Sequence, residues 1–201
     1  MDRRGLRTME RLLFVVAALA LAWYAGVTIA AAREQAALSS ELDRDRAALV
    51  TGTGAPTGPA ARAPAPPAAR SLVARIEIPR LRVATIAREG VDSGTLRASA
   101  GHVPGTALPG EIGNAAFAAH RDTFFRPLQG IRRGDEIAVT TPLGVFRYQV
   151  TGTRIVDPDE TSVLDRTPDA TLTLVTCYPF DYVGSAPQRF IVHARMTSAS
   201  D

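Results

Sequence analysis

The chain has 201 residues, 46% of them hydrophobic and 21% charged, with a formal net charge of +3. That composition suits one globular domain with appended segments and excludes a collagen-like or wholly disordered chain. The single Cys excludes an intramolecular disulfide framework and a Cys-rich zinc site, and because all 23 basic residues are Arg there is no lysine amine for Schiff-base chemistry.

Residues 1–11 carry four Arg against two acids, residues 12–70 five against four, and residues 71–201 fourteen of each. The C-terminal two-thirds is therefore neutral. Nucleic acid is not expected as a partner, since it would call for a concentrated basic face.

Residues 12–32, LLFVVAALALAWYAGVTIAAA, are uncharged. As a helix they would span roughly 31 Å, against a hydrocarbon core of about 30 Å. Arg3, Arg4, Arg7 and Arg11 precede them. The positive-inside rule then predicts a cytoplasmic tail over 1–11, a single-pass signal-anchor over 12–32 and an extracytoplasmic remainder. A cleaved signal peptide is the competing reading, with Ala30-Ala31-Ala32 as its cleavage site. The apolar run is longer than the usual signal core, which favours the anchor. Residues 33–70 read as a stalk and linker: helix formers over 33–50, then almost only Gly, Pro, Ala and Thr over 51–69.

From Leu72 the pattern changes to short alternating runs. Leu72, Ala74, Ile76 and Ile78 alternate with Val73, Arg75 and Glu77 until Pro79 ends the strand. Further strands are predicted over 115–119, 136–140, 145–155, 171–177 and 190–195, with one short helix over 93–98. Pro104-Gly105, Pro109-Gly110, Gly113-Asn114, Gly134-Asp135 and Asp157-Pro158 supply turns. An all-β barrel or sandwich over 71–201 is expected.

Cys177 ends the apolar run TLTLVTC and is followed by Tyr178-Pro179. A lone Cys is most often a buried small hydrophobe. At a strand end outside the cytoplasm it is instead a candidate nucleophile, which would need an imidazole as proton partner and donors for an oxyanion. His120 closes the run 115–119 and is the first candidate imidazole. His102, in a turn-like stretch, and His193, inside the last strand, read as structural. Arg189 lies twelve residues after Cys177 and opens a strand, so the two side chains could share one rim of paired strands. Spacing alone is weak support for that pairing.

TLTLVTC (171–177), AFAAHR (116–121) and APQRFIVHA (186–194) together resemble the sortase pattern of a TLxTC-type strand, an earlier His and a later Arg. IEIPRLRV (76–83), GHVPGTALPGEIGN (101–114), Phe125–Leu128 and GDEI (134–137) fit as well, and CYPFDYVGSAPQRFIV (177–192) resembles the class D branch most closely. The resemblance implies an eight-stranded β-barrel and a membrane-anchored cysteine transpeptidase. Its triad would be Cys177 as nucleophile, His120 as general acid and base, and Arg189 on the oxyanion. Thr176, just before the Cys, becomes a candidate substrate contact or a residue that supports the site from behind.

By the same resemblance, a secreted protein with an LPxTG-like C-terminal sorting signal is cleaved through a thioester and passed to an amine, such as that of a peptidoglycan precursor. The loops 156–170 and 178–187 would read the substrate. No Asp-Pro-aromatic triplet occurs between residues 33 and 100, so no pilin-type lid is expected. No cofactor is expected either; were calcium used, Glu89, Asp92, Asp157, Asp159 and Glu160 would be its oxygen ligands. A secreted cysteine hydrolase and a non-enzymatic wall-binding β-module are the alternatives. An L,D-transpeptidase would need a Ser-x-Gly-Cys context that Cys177 lacks.

Overall fold

The computed structural model describes residues 3–50 and 67–200, with only part of the side chains in 3–50. The predicted linker therefore lies mostly outside the described residues. Contacts divide the chain into two units, Met1–Ala37 and Leu38–Asp201.

The N-terminal element, α1, is one helix from Arg3 to Val50, more than twice as long as the predicted span. Leu13, Phe14, Val15, Val16, Leu19, Leu21 and Trp23 are all exposed on it. Among the described residues, no helix is long and apolar enough to cross a membrane. The apolar run described without interruption is 13–26, roughly 21 Å of helix. Leu12 and several side chains of 27–32, which would complete the predicted 21 residues, lie outside the described set.

The alternation at Leu72 builds the first strand of a closed barrel. In β1 (Leu72–Ile78), Ala74, Ile76 and Ile78 are fully buried. Pro79 then opens a one-turn 3-10 helix, because it lacks the N–H that a continuing strand would donate. The chain returns as β2 (Val83–Glu89), crosses α2 (Ser93–Ala98) and enters β3 (Ala100–His102). The barrel continues through β4 (Gly113–Ala118), β5 (Glu136–Thr141), β6 (Gly144–Val156), β7 (Ala170–Tyr178) and β8 (Gln188–Ser200). Around the barrel the order is β1-β2-β3-β4-β7-β8-β6-β5. The β2–β3 and β4–β7 pairs are parallel, and β1–β5 closes the ring antiparallel. Ile76, Phe117, Phe125, Leu128, Ile137, Tyr148, Leu172, Leu174 and Val192 fill the interior.

The six predicted strands and the short helix are present, within a few residues at their ends. Strands β2 and β3 were not expected. In β2 both faces are largely buried and Glu89 sits inside, so no polar-out alternation is visible. β3 is only three residues long.

Gly101, in the middle of β3, is required by a close approach. A Cβ there would lie 2.2 Å from the Gly90 carbonyl oxygen and 3.1 Å from Leu96 Cδ2. Backbone cannot swing aside as a side chain can. Gly101→Ala is expected to destabilise the barrel by about 2–3 kcal/mol and to lower Tm by roughly 10 °C in a scanning calorimetry comparison.

Candidate active site

Side chains alternate across β7. Leu172 and Leu174 point into the barrel, while Thr173, Val175 and Cys177 share the outer face. There Val175 packs with Val156, Val163, Leu164 and Ile191, beneath the loop between β6 and β7. Asn114 of β4 ties that loop down: its Nδ2 donates to the Val163 carbonyl at 3.0 Å, and its Oδ1 accepts from Thr173 Oγ1 at 2.8 Å. Cys177 lies past this apolar cluster, at the rim, where it is half-buried.

Antiparallel pairing of β7 with β8 sets Cys177 directly opposite Arg189. Opposed residues project from the same face, which brings the nucleophile and cation candidates to one rim. Arg189 Nη1 donates to its own loop, at 3.3 Å to Ala186 O and 3.0 Å to Gln188 O. The other guanidinium donors have no partner among the described residues.

His120 arrives from β4, parallel to β7, with Ala118 opposite Val175. The pairing runs one residue beyond the strand, as Ala119 N donates to Val175 O at 3.2 Å. Thr176 adds a side-chain tie, its Oγ1 donating to Ala119 O at 2.8 Å. His120 is thus held next to the end of β7. His120, Cys177 and Arg189 line one cavity of ≈ 330 Å³, together with Arg121, Asp122 and Gly184–Ala186.

Of the two places expected for Thr176, it occupies the supporting one. It is buried on the interior face and its hydroxyl is committed to Ala119, so it does not line the cavity. Its place is to hold the residue before His120. The expected walls also divide. Gly184, Ser185 and Ala186 of the β7–β8 loop line the cavity. Residues of the β6–β7 loop instead line an adjoining open depression of ≈ 600 Å³ that reaches Gln188.

The other two histidines sit away from the cavity. His102 is buried, with Nδ1 2.6 Å from Glu89 Oε2 and Nε2 2.9 Å from Ala107 O. His193 faces Thr173 across the β7–β8 pair, its Nδ1 3.4 Å from Thr173 Oγ1. Burial first, and then the charge of Arg154, hold its imidazole below the usual histidine range.

Of the acids named for calcium, Asp157, Asp159 and Glu160 line the depression of the β6–β7 loop, and Glu89 and Asp92 lie elsewhere. Glu89 is turned inward onto His102. Asp92 caps α2 through Gly94 N and Thr95 N and pairs with Arg70 at 2.7 Å, which holds its carboxyl well below the usual range. Glu160 accepts from Ser162 N at 3.2 Å and from the Ser162 hydroxyl, and its carboxyl too lies below the usual range for that reason. Among the described residues, no three His, Cys, Asp or Glu side chains gather where a metal ion could be held.

Arg121 and Arg126 carry no role in the sequence reading. In the structure both reach across to the β7–β8 loop, Arg121 to the carbonyls of Tyr182 and Gly184 and Arg126 to Phe180 O and Asp181. An Arg immediately after a candidate His was a visible cue. Its targets, some sixty residues on, were not.

A family model described as the Sortase domain matches residues 76–197. Among curated relatives, Sortase D of Bacillus subtilis (strain 168) is 36% identical over 121 residues, covering 60% of this chain and 61% of the relative. Sortase A of Listeria monocytogenes is 33% identical over 111 residues, 53% of this chain and 50% of the relative. The chain thus spans about half to three-fifths of the length of these relatives. A solved Clostridium perfringens Sortase D5 transpeptidase superposes with TM-score 0.58 at 32% identity, covering 63% of this chain and 79% of that one. Listeria monocytogenes sortase A gives TM-score 0.58 at 29% identity, covering 64% and 88%. With more than half of the chain matched by the Sortase domain and the barrel shared with these structures, this chain belongs to the sortase family.

Proposed function

We propose that this chain is a membrane-anchored cysteine transpeptidase that joins secreted proteins to the cell envelope. The observation that carries the reading is the meeting of three sequence-distant side chains, His120, Cys177 and Arg189, in one rim cavity. In the proposed reaction the Cys177 thiolate attacks the Thr carbonyl of an LPxTG-like sorting signal. Donors of Arg189 that are not used on Ala186 and Gln188 stabilise the oxyanion. The His120 imidazolium gives its proton to the departing amine, leaving a thioester. An acceptor amine, such as that of a peptidoglycan precursor, then attacks; His120 takes the amine proton and Cys177 leaves as thiolate. No step calls on a metal or cofactor.

The N-terminal layout supports placement at the membrane. Large apolar side chains lie exposed along 13–24 of α1, and the Arg-rich residues 1–11 precede them. In this reading α1 crosses the bilayer with its N-terminus in the cytoplasm and the barrel outside.

The test uses the full chain in detergent micelles, a panel of LPxTG-like peptides, an added amine and mass spectrometry. The chain has no lysine, so its side chains offer the acyl-enzyme no amine of their own. A peptide cut after Thr and extended by the amine is the expected product, absent when His120→Ala is assayed under the same conditions. Release of the free acid alone would make the protein a hydrolase. No product on any peptide, with Cys177 alkylated no faster than an ordinary thiol, would leave the wall-binding module.

A further inference from the structure

The β7–β8 loop, residues 179–187, joins the strands that carry Cys177 and Arg189 and supplies Gly184, Ser185 and Ala186 to the cavity. Its internal backbone bonding is slight: Tyr182 N reaches Pro179 O at 3.4 Å. Two guanidiniums hold it from outside. Arg126 Nη1 donates to Phe180 O at 2.5 Å and Nη2 to Asp181 Oδ1 at 2.6 Å. Arg121 Nη2 donates to both Tyr182 O at 2.6 Å and Gly184 O at 3.0 Å, with the guanidinium 5.9 Å from the Tyr182 ring centre. Carbonyls at every second residue, 180, 182 and 184, are thereby fixed to the segment that begins one residue after His120. Val183, between two held carbonyls, is 95% exposed.

Arg121 has a second feature. It lines the cavity, and among the described residues its Nη1 is buried with no hydrogen-bond partner. A guanidinium cannot shed its proton to escape this, and a buried donor left unpaired is costly. With both Nη2 hydrogens used on the loop, three N–H donors of Arg121 have no acceptor among the described residues, and an extended peptide entering the cavity brings carbonyl oxygens.

Resting on the transpeptidase reading, we propose that Arg121 is a positioning and peptide-binding residue: it holds the β7–β8 loop as the cavity wall, and a main-chain carbonyl of the bound peptide takes one of its remaining donors. Binding then tightens the wall beside Cys177. Lysine cannot substitute fully, because its single nitrogen would have to serve both loop carbonyls and the peptide, which Arg121 divides between Nη2 and its other nitrogens.

The experiment compares the full chain with Arg121→Lys and Arg121→Gln. Without substrate, amide hydrogen exchange over 181–187 is expected to rise about tenfold in the Gln variant, the scale of one lost charged hydrogen bond, and less in the Lys variant. With a sorting peptide, KM is expected to rise about tenfold, the larger part of the loss in kcat/KM. Adding peptide should slow exchange over 181–187 in the parent chain and not in the Gln variant. If exchange over 181–187 is unchanged in both variants, the loop-holding proposal fails. Loosened exchange with an unchanged KM overturns the peptide contact. Should the parent chain transfer no peptide, the transpeptidase reading fails, and the substrate-free exchange still decides the loop-holding role. If the Gln variant does not fold, the Lys variant carries the comparison.

Discussion

Cys177→Ala is expected to lower amine transfer by about four orders of magnitude or more, with the barrel intact. Cys177 is the chain's one cysteine, so no second thiol can take over. In the proposed reaction Cys177 forms the covalent intermediate, so its removal leaves only what binding and oxyanion donors achieve alone. Stability should change little, because Cys177 lies at the rim, outside both apolar clusters. Arg189→Lys is the informative companion. The parent Arg uses Nη1 on Ala186 and Gln188 and keeps other donors for the cavity. One ammonium cannot do both, so a loss of about 10²–10³ in kcat is expected, the scale of one oxyanion donor. Single-turnover assays with mass detection of the thioester separate the two: no thioester forms with Ala, and a slowly formed one appears with Lys. Undiminished amine transfer by the Ala variant would overturn the assignment of Cys177.

The second large effect is on stability. Glu89→Leu is expected to cost about 3–5 kcal/mol, because it strands a buried polar partner. The hydrogen bonding of His102 shows why. Its Nε2 faces the Ala107 carbonyl, which only accepts, so Nε2 carries a hydrogen. Its Nδ1 lies 2.6 Å from Glu89 Oε2, and a proton must sit between them. Leucine removes that partner while His102 stays buried against the Phe117 ring, 5.3 Å away. Glu89→Gln keeps the shape and can donate its amide N–H to Nδ1, so about 1 kcal/mol is expected there. Urea unfolding followed by near-UV circular dichroism checks both. Tryptophan fluorescence would miss the event, since the one Trp is residue 23, outside the barrel. Equal losses for Leu and Gln would contradict the hydrogen-bond account.

Particular elements show what was legible before the fold was known. β1 is readable because period 2 marks its buried face, and β7 because Thr and Leu alternate over 171–174. β4 was readable as a continuous apolar run, as expected for a strand covered on both faces. β2 escaped because its buried charge, Glu89, hides the pattern. The same residue was offered as a calcium ligand, since an acid near a turn reads as solvated until its partner is known. The place of Thr176 beside Cys177 suggests a substrate contact as readily as a supporting residue. Adjacent strand residues point to opposite faces, so neighbours in sequence are the two least able to share a cavity.

Read alone, the residues point to the nucleophile candidate, the all-β character and the family pattern, and they make the membrane-side layout an expectation. These rest on local signals: hydropathy, a single thiol, strand periodicity and short motifs. Tertiary structure alone decided that β4 lies parallel to β7, that Thr176 steadies Ala119 across 57 residues, and that Arg121 spans 61 and 63 residues to hold the cavity wall. A parallel pair needs a long crossover, and a guanidinium can serve any carbonyl within reach. Such partners are chosen by closure of the barrel, which no local pattern encodes.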